Sequence, residues 1–169
     1  CDMVTGLVLA STGAMNPQIR FGEDLMSRVS YGMMNPGGAA EMTSAVIDGI
    51  QELIDSAAKQ AGLECSDVVE LVLVGNPVMH HLLLGIDPVE LGGAPFALAL
   101  DSALDVKASD LGLKVNSGGR AYLLPCIAGH VGADAAAVIL AEAPQKDDQM
   151  TLSGEVGTNA EIVFGNSDR

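Results

Sequence analysis

Short continuous apolar runs alternate along the chain with apolar residues at helical spacing, which is typical of a protein that mixes strands and helices. One set of apolar residues recurs every three or four positions: Met42, Val46, Ile50, Leu53 and Ala57. This spacing predicts an amphipathic helix from about residue 39 to residue 60, with one face on a core. Gly62 follows as the C-terminal cap, because glycine readily adopts the left-handed conformation that ends many helices.

The run from Leu71 to Val74 predicts a strand that is followed at once by a helix. Consecutive β-branched and leucine residues favour a strand buried on both faces. Gly75 then ends the strand, Asn76 can cap the next helix, and Pro77 suits the first turn of that helix. A ligand can approach the backbone where a strand ends and a capped helix begins, although the same pattern also serves as a plain connection.

The remaining elements are predicted from similar patterns and from turn residues. Predicted strands cover residues 7–11, 68–74, 121–124, 150–156 and 160–164, and predicted helices cover residues 21–34, 39–60, 77–85, 106–111 and 130–141. Asn35, Pro36 and the two glycines after them end the first helix. Apart from its short helix, the segment 86–119 is predicted to be irregular and to end in a turn.

The order of these elements predicts an α/β fold with a mixed sheet flanked by helices. Residues 1–143 form the first domain in this interpretation, and residues 144–149 are a short polar linker. Residues 150–169 are then the opening β-hairpin of a second domain.

Composition excludes several classes of partner. The formal net charge is −14, from 22 acidic and 8 basic residues, which argues against nucleic acid and against an anionic membrane surface. No apolar run approaches the roughly 20 residues that span a bilayer. Cys1, Cys65 and Cys126 belong to no Cys-x-x-Cys pair, so no iron–sulfur or zinc site is expected here. The unpaired cysteines favour a reducing compartment, and we expect a cytoplasmic protein.

Two adjacent histidines, His80 and His81, lie in the helix that follows Asn76. Neighbouring residues on a helix point about 100° apart, so the two side chains cannot share a metal as an i, i+4 pair would. We expect one histidine to face a cleft and the other to face a core or the surface, both with satisfied, structural roles.

Two further pairs have helical i, i+4 spacing. His130 and Asp134 are expected to contact each other within one predicted helix. Asp24 and Arg28 are interpreted as a plain surface ion pair, which contributes only about a few tenths of a kcal/mol.

Four segments taken in order form a specific signature: residues 16–28, 74–88, 125–134 and 157–163. In these segments the chain resembles the reductive activators of corrinoid proteins, which are ATPases of the acetate-and-sugar-kinase, heat-shock-chaperone and actin superfamily. The resemblance runs through most of the chain. It implies a ribonuclease-H/actin-like mixed sheet flanked by helices and incomplete at both ends. The first domain would lack its first strands, and only the opening hairpin of the C-terminal ATPase domain would be present.

The resemblance also implies a nucleotide site. Glu155 would be the catalytic carboxylate that orients Mg²⁺ through a water, and Gly157, Thr158 and Asn159 would form the turn that holds the ATP phosphates. Further cofactor-binding residues are implied at Gly75, Asn76, Gly132 and Asp134. ATP and magnesium are therefore the expected cofactors, and an iron–sulfur cluster is expected only in a missing N-terminal domain.

The implied activity is ATP-dependent support of the reduction of cobalt(II) to cobalt(I) in a corrinoid protein or a corrinoid-dependent methyltransferase. A homodimer is compatible with it, and the fragment alone is expected to be inactive. Glu155 departs from the family, where aspartate is usual, and Gly154 weakens the strand. Two alternatives stay open: a small-molecule kinase of the same superfamily, with Asp24 as its one candidate base, and a binding module without turnover, which these departures support.

Overall fold

The computed structural model describes residues 1–156 and 160–168 as a mixed α/β protein. The α-helices within these ranges are α1, Leu25–Met34; α2, Gly38–Ala61; α3, Pro77–Leu83; and α4, Ala133–Glu142. The strands are β1, Glu70–Leu73; β2, Leu104–Lys107; β3, Arg120–Leu123; β4, Thr151–Val156; and β5, Ala160–Gly165. Short 3₁₀ helices lie at Pro17–Phe21, Cys65–Asp67, Val89–Gly92, Ala108–Leu111 and Pro144–Lys146. None of the described helices is both long and apolar enough to cross a membrane.

The central sheet has the order β1, β3, β2. Strand β1 runs parallel to β3, with Leu71 opposite Ala121, and β2 runs antiparallel to β3, with Val106 opposite the same alanine. The sequence pattern missed β2 and assigned residues 106–111 to a helix, of which only Ala108–Leu111 is helical. Strand β2 forms because its backbone pairs with that of β3, which follows an intervening loop. The pattern of residues within β2 does not predict this pairing.

Helix α2 covers one face of this sheet. The core between them contains a set of buried apolar residues: Ile54, Leu83, Ala108, Leu113, Ala121 and Leu123. The predicted boundaries of α2 are confirmed within two residues. Gly62 caps its C-terminus with φ of 71°, and the N–H of Gly62 donates to the carbonyls of Ala58 and Lys59. The amphipathic pattern therefore identified both the helix and the face that it buries.

The other face of the sheet is open among the described residues. Val72 on β1 is 60% exposed, and Tyr122 on β3 is 38% exposed. The prediction that β1 is buried on both faces is therefore wrong, and the strand is also shorter than expected. Successive side chains of a strand point to opposite faces, and α2 covers only the face that carries Leu71 and Leu73.

The predicted strand at residues 7–11 is absent. This segment lies along α2 instead, where the backbone N–H of Ser11 donates to Oε1 of Gln60 at 3.2 Å. The hydroxyl of Thr12 lies 3.4 Å from the hydroxyl of Ser56, which is also on α2. An apolar run forms a strand only where a neighbouring strand can pair with its backbone, and the described residues place none beside this segment.

A second apolar cluster joins α1, α2 and α3. Its buried members are Val29, Met42, Val78, Leu82 and Leu91. Helix α1 begins later than predicted, because the carboxylate of Asp24 accepts a hydrogen bond from the N–H of Ser27 at 2.7 Å and so caps the helix. Helix α3 begins as predicted, with Pro77 in its first turn and Asn76 as its cap. This cluster fixes the start of α1 against the start of α3.

Helix α4 and the β4–β5 hairpin complete the described structure. Helix α4 begins at Ala133 rather than at residue 130, so His130 precedes it. Both predicted strands of the hairpin are present, and Glu155 on β4 lies opposite Glu161 on β5. The expected phosphate turn, Gly157 to Asn159, lies outside the described residues.

Candidate functional site

A cleft of about 480 Å³ lies where the starts of α1, α3 and α4 meet strand β4. Seven polar side chains on its wall can carry chemistry: Glu23, Asp24, Arg28, Asn76, His130, Asp134 and Glu155. Three of them, Asn76, Asp134 and Glu155, are residues that the sequence implies for cofactor binding. The fold therefore brings together groups that are separated by up to 132 positions in the sequence.

The loop after β1 and the start of α4 form one wall of this cleft. The Oδ1 atom of Asn76 accepts a hydrogen bond from the N–H of Met79 at 2.9 Å, which caps α3. The carbonyl of Gly75 accepts a hydrogen bond from the N–H of Ala133 at 3.0 Å, which ties the loop to α4. A Cβ atom on Gly132 would lie 2.6 Å from the Cα of Asn76 and 2.6 Å from the Gly75 carbonyl oxygen. Gly75 and Gly132 thus allow the two segments to approach closely, and they lie behind the cleft surface.

Strand β4 forms the opposite wall and contributes Glu155. Burial raises the pKa of Glu155, and the nearby charges of Asp134 and Glu161, together with a hydrogen bond to Glu161, raise this pKa further. The Oε2 atom of Glu155 is buried and has no hydrogen-bond partner among residues 1–156 and 160–168. A carboxylate in such surroundings is stabilised by a proton or by a bound cation.

The described residues contain no group of three or more His, Cys, Asp or Glu side chains that could hold a metal ion. A fully protein-ligated metal centre is therefore not formed by this part of the chain. Mg²⁺ does not need such a centre, because it is commonly held by one or two carboxylates together with waters and substrate phosphates. Glu155, with its unpartnered oxygen beside Asp134, fits that manner of binding.

Arg28 does not form the predicted surface ion pair with Asp24. Its side chain is only 3% exposed, and its Nε–H donates to the carbonyl of Gly22 at 3.1 Å. Asp24 is engaged elsewhere as the cap of α1, and its hydrogen bonds with Ser27 lower its pKa. The i, i+4 spacing is present, but Arg28 turns inward and the two groups do not come within ion-pair distance.

His130 also differs from its prediction. Because α4 begins after it, His130 makes no i, i+4 contact within a helix. Its ring packs edge-on against the ring of Phe96, with ring centroids 4.4 Å apart. The backbone of Phe96 has a left-handed conformation, with φ of 57°. His130 therefore enters the cleft from a turn, held by an aromatic neighbour.

The profile of the RACo middle-region family matches residues 1–147 of this chain. The chain belongs to the RACo middle-region family.

Two proteins illustrate this relationship. The chain is 34% identical over 168 residues to the corrinoid activation enzyme RamQ of Eubacterium limosum, which covers 99% of this chain and 28% of RamQ. It matches a solved structure of a reductive activator for corrinoid, iron–sulfur protein with a TM-score of 0.94 and 36% identity, covering 99% of this chain and 27% of that protein. The chain thus spans about a quarter of the length of these relatives of the RACo family.

Neither adjacent histidine of this RACo-family chain lines the cleft. His80 is 3% exposed and His81 is 1% exposed, so the expectation that one of them faces a cleft is wrong. His81 is satisfied: its Nδ1 bonds the carbonyl of Pro77 at 2.8 Å, and its Nε2 accepts from the N–H of Ala99 at 3.0 Å. Neither ring nitrogen of His80 has a partner in the described part of the chain. The small α3 helix packs both rings inward.

Sequence reasoning missed that Arg28 is buried and lines this cleft. A signal was present, because Arg28 shares a helical stripe with Leu25, Val29 and Gly32 and is the one polar residue in it. A charged residue in an apolar stripe is expected to be buried, and burial of a charge requires a specific reason. Glu161 was also missed, and only the register of the hairpin places it opposite Glu155.

Proposed function

We propose that this chain is part of an ATP-dependent reductive activator, and that its cleft binds ATP with Mg²⁺. The observation that carries the proposal is the convergence of Asn76, Asp134 and Glu155 on one cleft, with the Oε2 of Glu155 buried and unpartnered. One relative is named a corrinoid activation enzyme and the other a reductive activator for corrinoid, iron–sulfur protein, which supports a similar role for the protein that contains this chain.

Glu155 and Asp134 would hold the magnesium ion, Glu155 through a water. Mg²⁺ supplies positive charge that lets triphosphate oxygens approach a wall of carboxylates. Asn76 would position the nucleotide from the other wall, where Gly75 and Gly132 hold the loop after β1 against α4. In this proposal Gly157, Thr158 and Asn159, which follow β4 in the sequence, bind the phosphates through their N–H groups and hydroxyl.

ATP would act by changing domain arrangement rather than by forming a covalent intermediate. The cleft is bounded by α1, α3 and α4 on one side and by β4 on the other, so a ligand between them favours the closed arrangement. We further propose that this arrangement is the ribonuclease-H/actin-like one, with residues 1–143 in the first domain and the hairpin opening the second. The end of the family match at residue 147 supports a boundary at the 144–149 segment.

The proposed reaction is reduction of cobalt(II) to cobalt(I) in a corrinoid protein or corrinoid-dependent methyltransferase. The electrons would come from an iron–sulfur cluster outside this chain, since its cysteines are unpaired and Cys126 is buried. The free thiols also support a reducing compartment, the cytoplasm. The kinase alternative is less favoured, because Asp24 caps α1 and its lowered pKa makes it a weak base.

Titration calorimetry on the complete protein that carries this chain tests the proposal. We expect ATP binding that depends on Mg²⁺ and that weakens at least about tenfold in Glu155→Ala, which corresponds to ~1.4 kcal/mol. Glu64→Ala is a matched control, because Glu64 is an exposed glutamate before β1 and lies outside the cleft. Equal affinity with and without magnesium, or in the presence and absence of the Glu155 carboxylate, would contradict the proposed site.

A further inference from the structure

Arg28 carries a buried charge without an ion-pair partner. No carboxylate of the described residues lies within 4 Å of its guanidinium. The one ion pair among the described residues joins Arg120 to Asp105. Burial lowers the pKa of Arg28, although an arginine remains protonated in proteins. Burial of a charge without an ion-pair partner is unfavourable, and a bound anion would supply that partner.

The side chain of Arg28 is held in place by neutral acceptors. Its Nε–H donates to the carbonyl of Gly22 at 3.1 Å, and Nη1 lies 3.5 Å from Oε1 of Gln18. Gln18 is itself fully buried, and its Nε2 donates to the carbonyl of Met42 at 2.9 Å, so its oxygen is directed toward Arg28. The Nη2 group of Arg28 has no hydrogen-bond partner within the described ranges.

Arg28 is also a wall residue of the cleft, and it is the sole lysine or arginine among the described wall residues. The other charged groups there are carboxylates, of which Asp24 is already used as a helix cap. A guanidinium presents several N–H donors in a planar fork that matches phosphate oxygens. An anionic group that enters this cleft can therefore contact one positive charge whose position is already fixed. The guanidinium still has N–H donors that are not used in hydrogen bonds to the described residues.

We infer that Arg28 is the oxyanion-binding residue of the cleft and receives the terminal phosphoryl group of the nucleotide. This inference rests on the proposed nucleotide function and specifies it. Arg28 lies on α1, whereas Glu155 lies on β4, so a terminal phosphate bound to both sides would link them. ADP lacks this group and leaves Arg28 without its partner, which gives the protein a means to distinguish ATP from ADP.

The test compares ATP, ADP and inorganic phosphate in the complete protein, each with Mg²⁺. We expect Arg28→Gln to weaken ATP binding by about 10- to 100-fold, the range for a hydrogen bond to a charged group, and to leave ADP affinity within about twofold. Arg28→Lys should retain part of the ATP preference, because it keeps the charge but loses the fork. Arg20→Gln is the matched control, since Arg20 is exposed above the ring of Phe21 and outside the cleft.

A measurement on the unaltered protein covers the case in which Arg28→Gln does not fold. In protein labelled with ¹⁵N-arginine, the Nε–H resonance of Arg28, assigned by its loss in Arg28→Lys, should shift with a non-hydrolysable ATP analogue and not with ADP. Equal shifts with both nucleotides, or equal loss of ATP and ADP affinity in Arg28→Gln, would overturn the inference while leaving nucleotide binding intact.

Failure of the proposed function gives a different result. If the unaltered protein binds inorganic phosphate but neither nucleotide, and Arg28→Gln abolishes phosphate binding, Arg28 is an oxyanion site and the nucleotide function is wrong. If the unaltered protein binds none of the three ligands, both proposals fall.

Discussion

Glu155 lies near two further carboxylates, Asp134 and Glu161, and burial adds to the unfavourable effect of their charges. Its pKa is raised in the folded protein, so its ionised form is less stable there than in the unfolded chain. Without a bound cation, the free energy of unfolding is therefore expected to increase as the pH falls toward this raised pKa. It is expected to decrease as the pH rises through the same pKa. A bound cation removes that disadvantage.

Opposite effects on stability and on function follow for substitutions of Glu155. Glu155→Gln removes a charge from a group of three, so we expect a higher melting temperature for the ligand-free protein at neutral pH. The same change should lower magnesium-dependent ATPase turnover. Scanning calorimetry without ligand and a phosphate-release assay with MgATP measure the two effects on one preparation. A decrease in both would show that Glu155 has a structural role alone.

The length of the side chain at position 155 gives a separate prediction. Glu155→Asp restores the carboxylate that the resemblance leads us to expect, and we predict that turnover is maintained or raised. Glu155→Ala should lower turnover by at least about tenfold, or ~1.4 kcal/mol of barrier. Equal turnover for glutamate, aspartate and alanine would instead favour the binding module that keeps the fold without catalysis.

At the scale of elements, the contact between α4 and the loop after β1 depends on Gly132. An alanine there would bring its Cβ to 2.6 Å from backbone atoms of Asn76 and Gly75, which cannot move as a flexible side chain does. We expect Gly132→Ala to reduce the free energy of unfolding by about 1–3 kcal/mol through overpacking. Urea denaturation measures this loss. Gly13→Ala is the control, because a Cβ at residue 13 meets no atom within 4 Å; equal losses in both variants would contradict the prediction.

His81 joins α3 to the loop that carries Phe96. Because Nε2 accepts from the N–H of Ala99, the proton of the neutral ring lies on Nδ1, which donates to Pro77. His81→Asn should cost about 1–3 kcal/mol, since its shorter side chain leaves the N–H of Ala99 without an acceptor, whereas Gln can supply an acceptor near Nε2. Urea denaturation of the two variants decides this, and an equal cost for both would show that the bond to Ala99 contributes little.

The same histidines predict a pH dependence. Burial lowers the pKa of both His80 and His81, so the unfolded chain takes up protons before the folded protein does. The contribution of the two neutral histidines to the free energy of unfolding is fully present above the ordinary histidine pKa of about 6.5. This contribution is lost as the pH falls below that value. The unfolding free energy measured from about pH 7.5 to pH 5.5 should decrease, and the decrease should be smaller in His81→Gln.

The elements that could be predicted from sequence are those encoded by neighbouring residues. Asn76 and Pro77 start α3, Gly62 ends α2, and the stripe from Met42 identifies the buried face of α2. Strand β2 and the segment at 7–11 were misassigned, because pairing with a distant strand decides whether an extended run becomes a strand. A local pattern carries no information about that partner.

The site was predictable to a similar extent. The resemblance named Asn76, Asp134 and Glu155, which the fold does bring to one cleft. Arg28 and His130 were assigned helical ion-pair or contact partners from spacing, and both assignments were wrong. The direction of a long side chain depends on what packs around it, such as Gln18 beside Arg28 and Phe96 beside His130.

At the scale of the whole molecule, apolar surface remains exposed on several elements of the 169-residue chain. Exposed apolar side chains lie on the N-terminal segment, on β1, on α4 and on the hairpin, for example Val8 at 74%, Val72 at 60%, Leu140 at 70% and Ile162 at 71% exposure. Strand β1 also forms an edge of the described sheet, with backbone groups available for pairing. Exposed apolar side chains and an unpaired strand edge both favour association with another chain.

We therefore predict that the 169-residue chain, produced alone, self-associates despite its net charge of −14. The charge opposes association over long range, but salt screens it to within about 8 Å at physiological ionic strength, whereas apolar contacts are not screened. Light scattering coupled to size exclusion should show species larger than a monomer whose proportion rises with salt. Val72→Lys places a charge on the open sheet face and should shift the distribution toward monomer, and Gln145→Lys, which adds the same charge at an exposed polar position, should not. A monodisperse monomer with a cooperative melting transition at high salt would show that these exposed apolar surfaces do not cause association, and would contradict the prediction.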